Sequence, residues 1–201
     1  MLVNTALYLP VTQDLVNRIR PDKFQVSWER AWSWYPTRVH ARGVSVDGQS
    51  RSQQWQARAP EASASIALLP LIMKRVWVSN VEALDLDYRQ RPRLKPDKDY
   101  SRKLPHFPAI ADRAVAPVGQ VNPKKSSPWH IAVDDISARG EHDFWIYQLR
   151  GAARGELSGG LTFRTRGGPF SLDLDHLDLE LEPVYVSSDV EVLSGGTLRG
   201  E

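Results

Sequence analysis

The sequence predicts a mainly β protein: a long, curved antiparallel sheet that forms a taco-like β-groove, accompanied by two short helices. Apolar residues recur at every second position through Thr37–Tyr88, and the same period returns after a proline-rich interruption and is still running at Glu201. Because successive side chains on a strand point to opposite faces, this period indicates a ribbon with one apolar and one polar face. Too few residues have helical spacing to cover that apolar face.

Composition is that of an ordinary globular chain of one domain or slightly more. Hydrophobic residues make up 41% and charged residues 25% of the 201 positions. The net charge of +2 is too small to indicate a nucleic-acid partner, and no nucleic-acid-binding module is recognised. The absence of cysteine excludes disulfides, thiolate metal sites and thiol catalysis. No run of eighteen apolar residues occurs, so no complete transmembrane helix is expected.

Three regions follow from the pattern. Residues 1–90 are expected to contain an N-terminal helix and the first segment of the groove. Residues 91–128 hold half of the chain's 14 prolines and many basic side chains, and they are expected to form a flexible loop. This loop either attracts anionic lipid headgroups or serves as a solvated linker. Residues 129–201 continue the groove, which is expected to be truncated at its C-terminal end.

The first region reads as a series of short elements. Its apolar start, residues 1–9, fits either the end of a membrane anchor or an ordinary first element. Pro10–Ile19 has helical spacing, and Lys23–Glu29 alternates as a strand. Arg30–Pro36 is expected to be an aromatic-rich turn that either closes the core or forms a lip against a bilayer. Leu68–Arg75 is the second expected helix, with a proline near its start and basic residues at its end.

Several positions are expected to interrupt the strands. Gly43 predicts a bulge or bend, Asp47–Gly48 a hairpin turn, and Pro60 a bulge or an edge position. Asp134–Asp135 and His176 each shift the phase of the alternation, so the strands there are expected to continue after a bulge.

No catalytic or metal-binding motif is recognised. The five histidines lack metal-ligand spacing, and no nucleophile elbow, P-loop or dinucleotide-binding glycine motif occurs. The acidic run from Asp173 to Glu182 alternates with leucines, so it predicts a solvated polar strand face, with calcium binding as the alternative. No enzyme activity, cofactor or metal is therefore expected.

Residues 1–90 contain three segments in a characteristic order: VSWERAWSWYPTRVHARGVSVDG, then the strand ending ASASIALLPLI, then VWVSNVEALDLDY. In this order they resemble the N-terminal part of the AsmA-like family of bacterial envelope proteins, the AsmA, TamB and YhdP type. The resemblance implies a periplasmic β-groove, anchored to the inner membrane through an anchor missing from this chain. It further implies non-catalytic transfer of phospholipid between the inner and outer membranes, in support of outer-membrane biogenesis.

The ligand expected from this resemblance is a phospholipid or another acyl lipid lying on the apolar side of the sheet. An envelope protein is a candidate partner, and nucleic acid is not expected. The predicted lipid-binding residues are Val44, Val46, Trp55, Ala57, Ile66, Leu84, Leu86, Tyr88, Trp145, Tyr147, Leu149, Leu157, Leu161, Phe163, Leu172 and Leu174.

Two other interpretations fit the same alternation. A closed β-sheet would fill its interior with these side chains and act as an interaction scaffold for a partner protein in the cell envelope. A carbohydrate-binding β-sandwich would instead use exposed tryptophans as stacking platforms, next to paired carboxylates in a cleft.

Overall fold

The structure, a computed structural model, describes residues 17, 24–35, 37–50, 52–67, 70, 73–95, 98–111, 130–164, 170–187 and 190–200. For six of these it describes the backbone alone: Phe24, Tyr35, Phe163, Arg164, Phe170 and Leu172. The strands are β1 Phe24–Ser27, β2 Arg30–Tyr35, β3 Arg38–Gln49, β4 Gln53–Ala67, β5 Arg75–Leu84, β6 Asp87–Pro92, β7 His130–Ile146, β8 Leu149–Arg164, β9 Phe170–Leu181, β10 Val184–Val186, β11 Val190–Leu193 and β12 Gly196–Gly200.

All twelve strands belong to one mixed sheet. Four long strands, β3, β4, β7 and β8, each occupy one position, and pairs of shorter strands lie end to end in the others. The pair β1 and β2 flanks β3, the pair β5 and β6 lies between β4 and β7, and the pair β9 and β10 flanks β8. Strands β11 and β12 lie outermost, against β10 and β9. The sheet therefore has eight strand positions.

The expected purely antiparallel sheet is wrong at one place, because β5 and β6 both pair with β7 in the parallel direction. Two parallel neighbours cannot be joined by a tight turn and need a long crossover connection. The proline-rich residues between Pro92 and His130 make that connection. Local alternation is the same for parallel and antiparallel strands, so it does not reveal this pairing.

The strands are interrupted at one level across the middle of the sheet. Gly43 (φ 60°) lies opposite Pro60 in the β3–β4 pair, and Asp85 (φ 52°) separates β5 from β6. Next to them, Gly140 (φ 108°) pairs with Gly155 (φ 147°) in the β7–β8 hairpin. These five residues form what we call the break line. Glycine kinks and bulges of this kind introduce curvature into a sheet.

The break line divides the sheet into two blocks. The upper block contains β2, β5, β9, β12 and the adjoining halves of the four long strands. The lower block contains β1, β6, β10, β11 and the other halves. Within the upper block, the register shifts next to Asp135 (φ 52°) and between Leu174 and His176. The phase shifts predicted at Asp134–Asp135 and at His176 are therefore confirmed.

Two neighbouring rows of residues define the faces of the upper block. Residues directly opposite each other on adjacent strands share a face, and consecutive residues point to opposite faces. One row runs, strand by strand, through Ala31, Ala41, Ala62, Ala83, Ala138, Leu157 and Leu177. The next row runs through Arg42, Glu61, Leu84, Arg139, Glu156, Asp178 and Arg199.

The second of these rows carries cross-strand ion pairs. The guanidinium of Arg42 lies 2.9 Å from the Glu61 carboxylate, and that of Arg139 lies 3.1 Å from Glu156. The Arg199 guanidinium lies 3.2 Å from Asp178, farther along the same row. One face of the upper block is therefore polar and the other apolar.

Two local predictions near the start of the sheet are wrong. The predicted aromatic turn at Arg30–Pro36 is strand β2 over Arg30–Tyr35. The predicted turn at Asp47–Gly48 lies inside the β3–β4 ladder, and the chain reverses afterwards, where the Ser50 N–H donates to the Gln53 carbonyl at 2.8 Å. Gly48 faces the Trp55 ring, which fills the space that a Cβ would occupy. A glycine paired with a large cross-strand ring thus mimics a turn signal.

The two short helices are not found among the described residues. Pro10–Ile19 lies outside them, apart from Asn17, and so do four of the eight residues of Leu68–Arg75. In the described part of the second segment, Pro70 is helical, Met73 and Lys74 form a turn, and Arg75 begins β5. Leu104–His106 forms a single 3₁₀ turn. The described residues include no helix with the length and hydropathy needed to cross a membrane.

Part of the crossover packs on the lower block. The buried Arg91 side chain donates from Nη2 to the Ile110 carbonyl at 2.6 Å and from Nε to Gln54 Oε1 at 3.0 Å. The Trp145 indole donates to the His106 carbonyl at 3.3 Å, and Pro108 is fully buried. Residues 98–111 therefore cover the face of the lower block on which Gln54, Arg91 and Trp145 lie.

Candidate functional site

A continuous apolar face runs across both blocks of the sheet. In the hairpin β7–β8 the register is unbroken from Ile136–Gly159 to Ile146–Leu149. Ala138, His142 and Phe144 therefore lie on one face of β7, on both sides of the break line. Because Ala138 belongs to the alanine row, this is the apolar face of the upper block, and it continues into the lower block.

The lower block extends that face from β7 towards β1. Phe144 is opposite Tyr88, Tyr88 is opposite Ala57, and Ala57 is opposite Val46, which is opposite Val26. The crossover segment described above lies on the other face, since Gln54, Arg89 and Trp145 have the opposite alternation. The apolar face is thus not the one that residues 98–111 cover.

Positive φ angles keep the face continuous where simple alternation would lose it. Ala41 and Val44 share the apolar face because the left-handed Gly43 between them reverses the phase of β3. Asp85 has the same effect between Ala83 and Leu86. Glycine adopts this left-handed region without strain because it has no Cβ, and aspartate is among the few L residues that are enriched there.

The apolar face is incompletely covered. Among the described residues, eight hydrophobic side chains are buried, and four of these are alanines: Ala31, Ala59, Ala138 and Ala153. Larger residues of the face remain accessible, with Leu174 55% exposed and Leu198 on the outermost strand 46% exposed. A sheet with an apolar face has to bury it against another layer or a ligand.

One polar side chain interrupts the face at the break line. His142 is buried, and its Nδ1 accepts the backbone N–H of Leu86 at 3.2 Å. This acceptor role assigns the proton of the neutral ring to Nε2, a buried atom that has no hydrogen-bond partner among the residues that the structure describes.

Most predicted lipid-binding residues lie on the apolar face. The register places there Val44, Val46, Trp55, Ala57, Ile66, Leu86, Tyr88, Leu149, Leu157, Leu161 and Leu174. Phe163 and Leu172 are opposite Ile131 and Leu161 in the backbone ladder, and their side chains lie outside the described part.

Two predicted residues, Leu84 and Trp145, lie on the opposite face, and a third, Tyr147, lies in a turn. Leu84 lies in the charged row of the opposite face, because Asp85 reverses the alternation between Leu84 and Leu86. Trp145 pairs with Arg89 on the face covered by the crossover, and its ring lies 5.3 Å from the Arg150 guanidinium carbon. Tyr147 (φ 56°) is in the turn between β7 and β8, and its hydroxyl accepts a hydrogen bond from Gln53. Gln53 has the same alternation as Trp55 and Ala57, so the Tyr147 side chain reaches the side of the sheet that carries the apolar face.

Sequence reasoning missed other members of the face. Phe144 and Ile146 occupy the positions that the sequence assigned to Trp145 and Tyr147. All four residues from Phe144 to Tyr147 are apolar, so the alternation does not show which two of them point to the apolar face. In contrast, Val78 and Val81 follow from an alternation that is visible once Asn80 (φ 48°) is taken as a bulge.

A separate acidic cavity lies next to the break line. It has a volume of about 580 Å³ and is lined by Glu29, Asp85, Asp87, Glu141 and Asp143, together with Arg58. Three of these five carboxylates have partners within the protein: Asp87 pairs with Arg89 at 2.8 Å, Glu141 pairs with Arg154, and Asp85 accepts the Glu141 N–H. No aromatic side chain lines the cavity among the described residues.

Little else in the described residues suggests catalysis or metal binding. No group of three or more His, Asp or Glu side chains there is arranged to hold a metal ion. Burial, with a smaller contribution from nearby Tyr147, raises the pKa of Tyr88. Hydrogen bonds from Ser101 lower the pKa of the exposed Asp99 carboxyl.

The geometry defines a class of protein: an open mixed β-sheet with one continuous apolar face and a crossover segment packed on the other face. No protein-family model matches the chain, and no curated protein matches it.

Proposed function

We propose that the protein is a non-catalytic lipid-binding protein whose apolar face holds the acyl chains of a phospholipid or a similar lipid. The observation that supports this most is that the apolar face is continuous across the break line while the described crossover covers the opposite face. Leu174 and Leu198 remain accessible on it, so apolar surface is exposed to water there, and its burial against an apolar partner would be favourable.

The dimensions and energies suit an acyl chain. Strand β7 has 17 residues, and at about 3.3 Å per residue it is about 56 Å long, longer than an extended lipid tail. Transfer of a sixteen-carbon chain from water to an apolar surface is favourable by about 12 kcal/mol at about 0.8 kcal/mol per methylene. Such a surface needs no specific pockets.

The chemistry of the face favours sliding over tight binding. The row from Ala31 to Ala138 on this face consists of alanines. Among the described residues, only a few polar side chains, such as His142 and Gln90, interrupt the face. A smooth apolar surface presents similar contacts at successive positions, so an acyl chain meets no deep minimum as it moves.

The biological setting of the proposal comes from the sequence resemblance. In a protein similar to the AsmA-like family, this sheet would be one segment of a longer periplasmic groove held at the inner membrane. It would carry phospholipid between the inner and outer membranes and support outer-membrane biogenesis. The partner at each membrane is part of the same proposal.

Two leucines of similar exposure on opposite faces provide the test. Leu174 is 55% exposed on the apolar face, and Leu84 is 43% exposed on the polar face. The purified chain and the variants Leu174→Asp and Leu84→Asp are extracted with organic solvent, and phospholipid is measured by mass spectrometry. A carboxylate on the apolar face removes contacts worth about 1.5–3 kcal/mol, so Leu174→Asp should lose about tenfold or more of the bound lipid.

Leu84→Asp should retain its lipid, because this side chain lies between Glu61 and Arg139 in the charged row. Absence of phospholipid from the unaltered chain, or an equal loss in both variants, would contradict the proposal. A protein bound in place of lipid would instead support an interaction scaffold.

A further inference from the structure

Four polar side chains lie together at the lower end of the apolar face. Gln53 Nε2 donates to the Tyr147 hydroxyl at 2.8 Å, and the Tyr88 hydroxyl donates to Gln90 Oε1 at 2.8 Å. The backbone N–H of Tyr147 donates to the Gln90 carbonyl at 2.8 Å, which brings the two pairs next to each other. We call these four residues the polar cluster.

The register places the polar cluster where the apolar face ends. Gln90 is opposite Trp55 and Ile146, and Ile146 is the last residue of β7. Strand β6 ends shortly after Gln90, at Pro92. The turns between β3 and β4 and between β7 and β8 lie at the same end of the sheet. The cluster therefore forms a polar rim next to an apolar surface.

The polar cluster contains unused hydrogen-bond donors. Its four side chains are half-buried, so a ligand can reach them. Among the residues that the structure describes, neither Gln90 Nε2 nor the hydroxyl proton of Tyr147 has an acceptor. An amide NH₂ group carries two donors and a hydroxyl carries one. The rim therefore offers donors to a ligand that supplies acceptors.

The polar cluster is uncharged. Burial, and after it the nearby Tyr147, raises the pKa of Tyr88, which keeps this hydroxyl protonated at neutral pH. The arginines of the surrounding strands lie on the other face, because they have the opposite alternation: Arg58, Arg89, Arg91 and Arg150. A phosphate group is typically bound by arginine or lysine, whereas neutral donors suit a neutral acceptor such as an ester carbonyl.

We propose that the polar cluster binds the ester group of an acyl lipid whose hydrocarbon chains lie on the apolar face. Gln90 Nε2 and the Tyr147 hydroxyl donate to ester carbonyl oxygens, and the chains run from there across the break line towards the upper block. This inference rests on the proposed function and deepens it. It identifies the part of the lipid that the protein recognises and the direction in which the lipid lies.

The length of the apolar face fits this direction. On β7 the face extends from Phe144, beside the cluster, to Ile131 near the start of the strand, a distance of about 43 Å at about 3.3 Å per residue. In the other direction the described strands β6 and β7 end at or just beyond the row of Gln90, which leaves no apolar surface for a chain. An acyl chain attached to an ester at the cluster therefore has one direction in which to be covered.

Hydrogen bonds at the rim should discriminate between lipids more than they add affinity. Water satisfies the donors in the free protein, so one hydrogen bond to a ligand changes affinity by about two- to tenfold. An ether-linked lipid has no ester carbonyl, yet it covers the same donors and leaves them unpaired, which is unfavourable. We expect an ether-linked lipid to bind about tenfold more weakly than the ester-linked lipid of the same chain length.

The test is competition between ester-linked and ether-linked phosphatidylcholine of equal chain length for the full chain, with both bound lipids measured by mass spectrometry. The unaltered chain should prefer the ester-linked lipid by about tenfold. The double variant Gln90→Leu, Tyr147→Phe lacks the free donors and should bind the two lipids about equally. The matched control Gln25→Leu, Tyr185→Phe replaces the same residue types on the opposite face and should keep the preference.

A second measurement tests the direction of the lipid and does not depend on the double variant. Trp55 is opposite Gln90 on the apolar face, at the end where the ester is placed. Its fluorescence is the difference between the unaltered chain and Trp55→Phe. Phosphatidylcholine brominated on the acyl chain close to the ester should quench this fluorescence more than the lipid brominated at the chain terminus. The reverse order would overturn the inference.

The two proposals fail in different ways. If the unaltered chain binds neither lipid, the proposed function is rejected, and the inference about the ester fails with it. If the unaltered chain binds both lipids equally, lipid binding stands, and only recognition of the ester by the polar cluster is overturned. A preference that persists in the double variant, or that is lost equally in the control, would also overturn the inference.

Discussion

Gly140 and Gly155 lie directly opposite each other in the β7–β8 hairpin, and both have positive φ, 108° and 147°. The hairpin register is unbroken here, as it is across Gly43 and Pro60 in the β3–β4 pair, so the interruption is conformational and not a register shift. The space around Gly155 explains the need for glycine. A Cβ at this position would overlap the backbone carbonyl oxygen of Asp178 on β9.

Replacement of Gly155 by alanine should therefore destabilise the fold. Strain at a positive φ and overpacking against backbone each cost about 1–3 kcal/mol, so we expect the free energy of unfolding to fall by about 3 kcal/mol. Urea unfolding followed by circular dichroism measures it. Gly200→Ala is the control, since nothing lies within 4 Å of a Cβ there. Equal effects of the two substitutions would show that the break line does not depend on glycine.

Arg91 should be the most important basic side chain for stability in the crossover region. It is buried and holds the Ile110 carbonyl and Gln54, which would lose a charged partner in Arg91→Met. Each buried acceptor left without a partner costs about 1–3 kcal/mol, so a loss of about 2 kcal/mol or more is expected in urea unfolding. Limited proteolysis should also cut residues 98–111 faster.

The control for Arg91 is Arg139→Met, which removes one member of an exposed ion pair with Glu156. Exposed pairs contribute about 0–1 kcal/mol, so this variant should unfold within about 1 kcal/mol of the unaltered chain. If Arg139→Met lowered the free energy of unfolding more than Arg91→Met does, the packing of the crossover would contribute less to stability than the burial of Arg91 indicates.

Tyr88 should ionise at higher pH than an ordinary tyrosine. Burial comes first and the neighbouring Tyr147 second in raising its pKa above the model-peptide value of about 10. The folded state then keeps this proton when the unfolded state has lost it. The contribution of Tyr88 to stability is complete below about pH 10 and is lost as the pH rises through the folded-state pKa.

The measurement is the ultraviolet tyrosinate titration of the unaltered chain minus that of Tyr88→Phe. The midpoint of this difference curve should lie at a higher pH in the folded chain than in the chain unfolded in urea. A difference curve centred at the ordinary tyrosine pKa in the folded chain would contradict the burial of this hydroxyl on the apolar face.

Local signals predicted the strands well where the alternation was unambiguous. The run Ile131, Val133, then Ile136 after a bulge required only side-chain type and the two aspartates, and the register agrees with it. The alternation through Leu84 and Leu86 predicted that both lie on one face. This is wrong, because the left-handed Asp85 turns the two leucines to opposite faces. An aspartate between two leucines has no local feature that distinguishes an ordinary strand position from a phase reversal.

By itself, the sequence determined that this chain forms strands with one apolar and one polar side, because side-chain alternation is a property of each strand alone. The tertiary structure decided that β5 and β6 lie parallel to β7, and that Ala83 meets Ala138 across that pair. It also decided that residues 98–111 of the crossover cover the polar face of the lower block, while Leu174 and Leu198 on the apolar face remain exposed. Those outcomes depend on contacts between residues far apart in the chain. The alternation within a single strand carries no information about the free energies of such contacts.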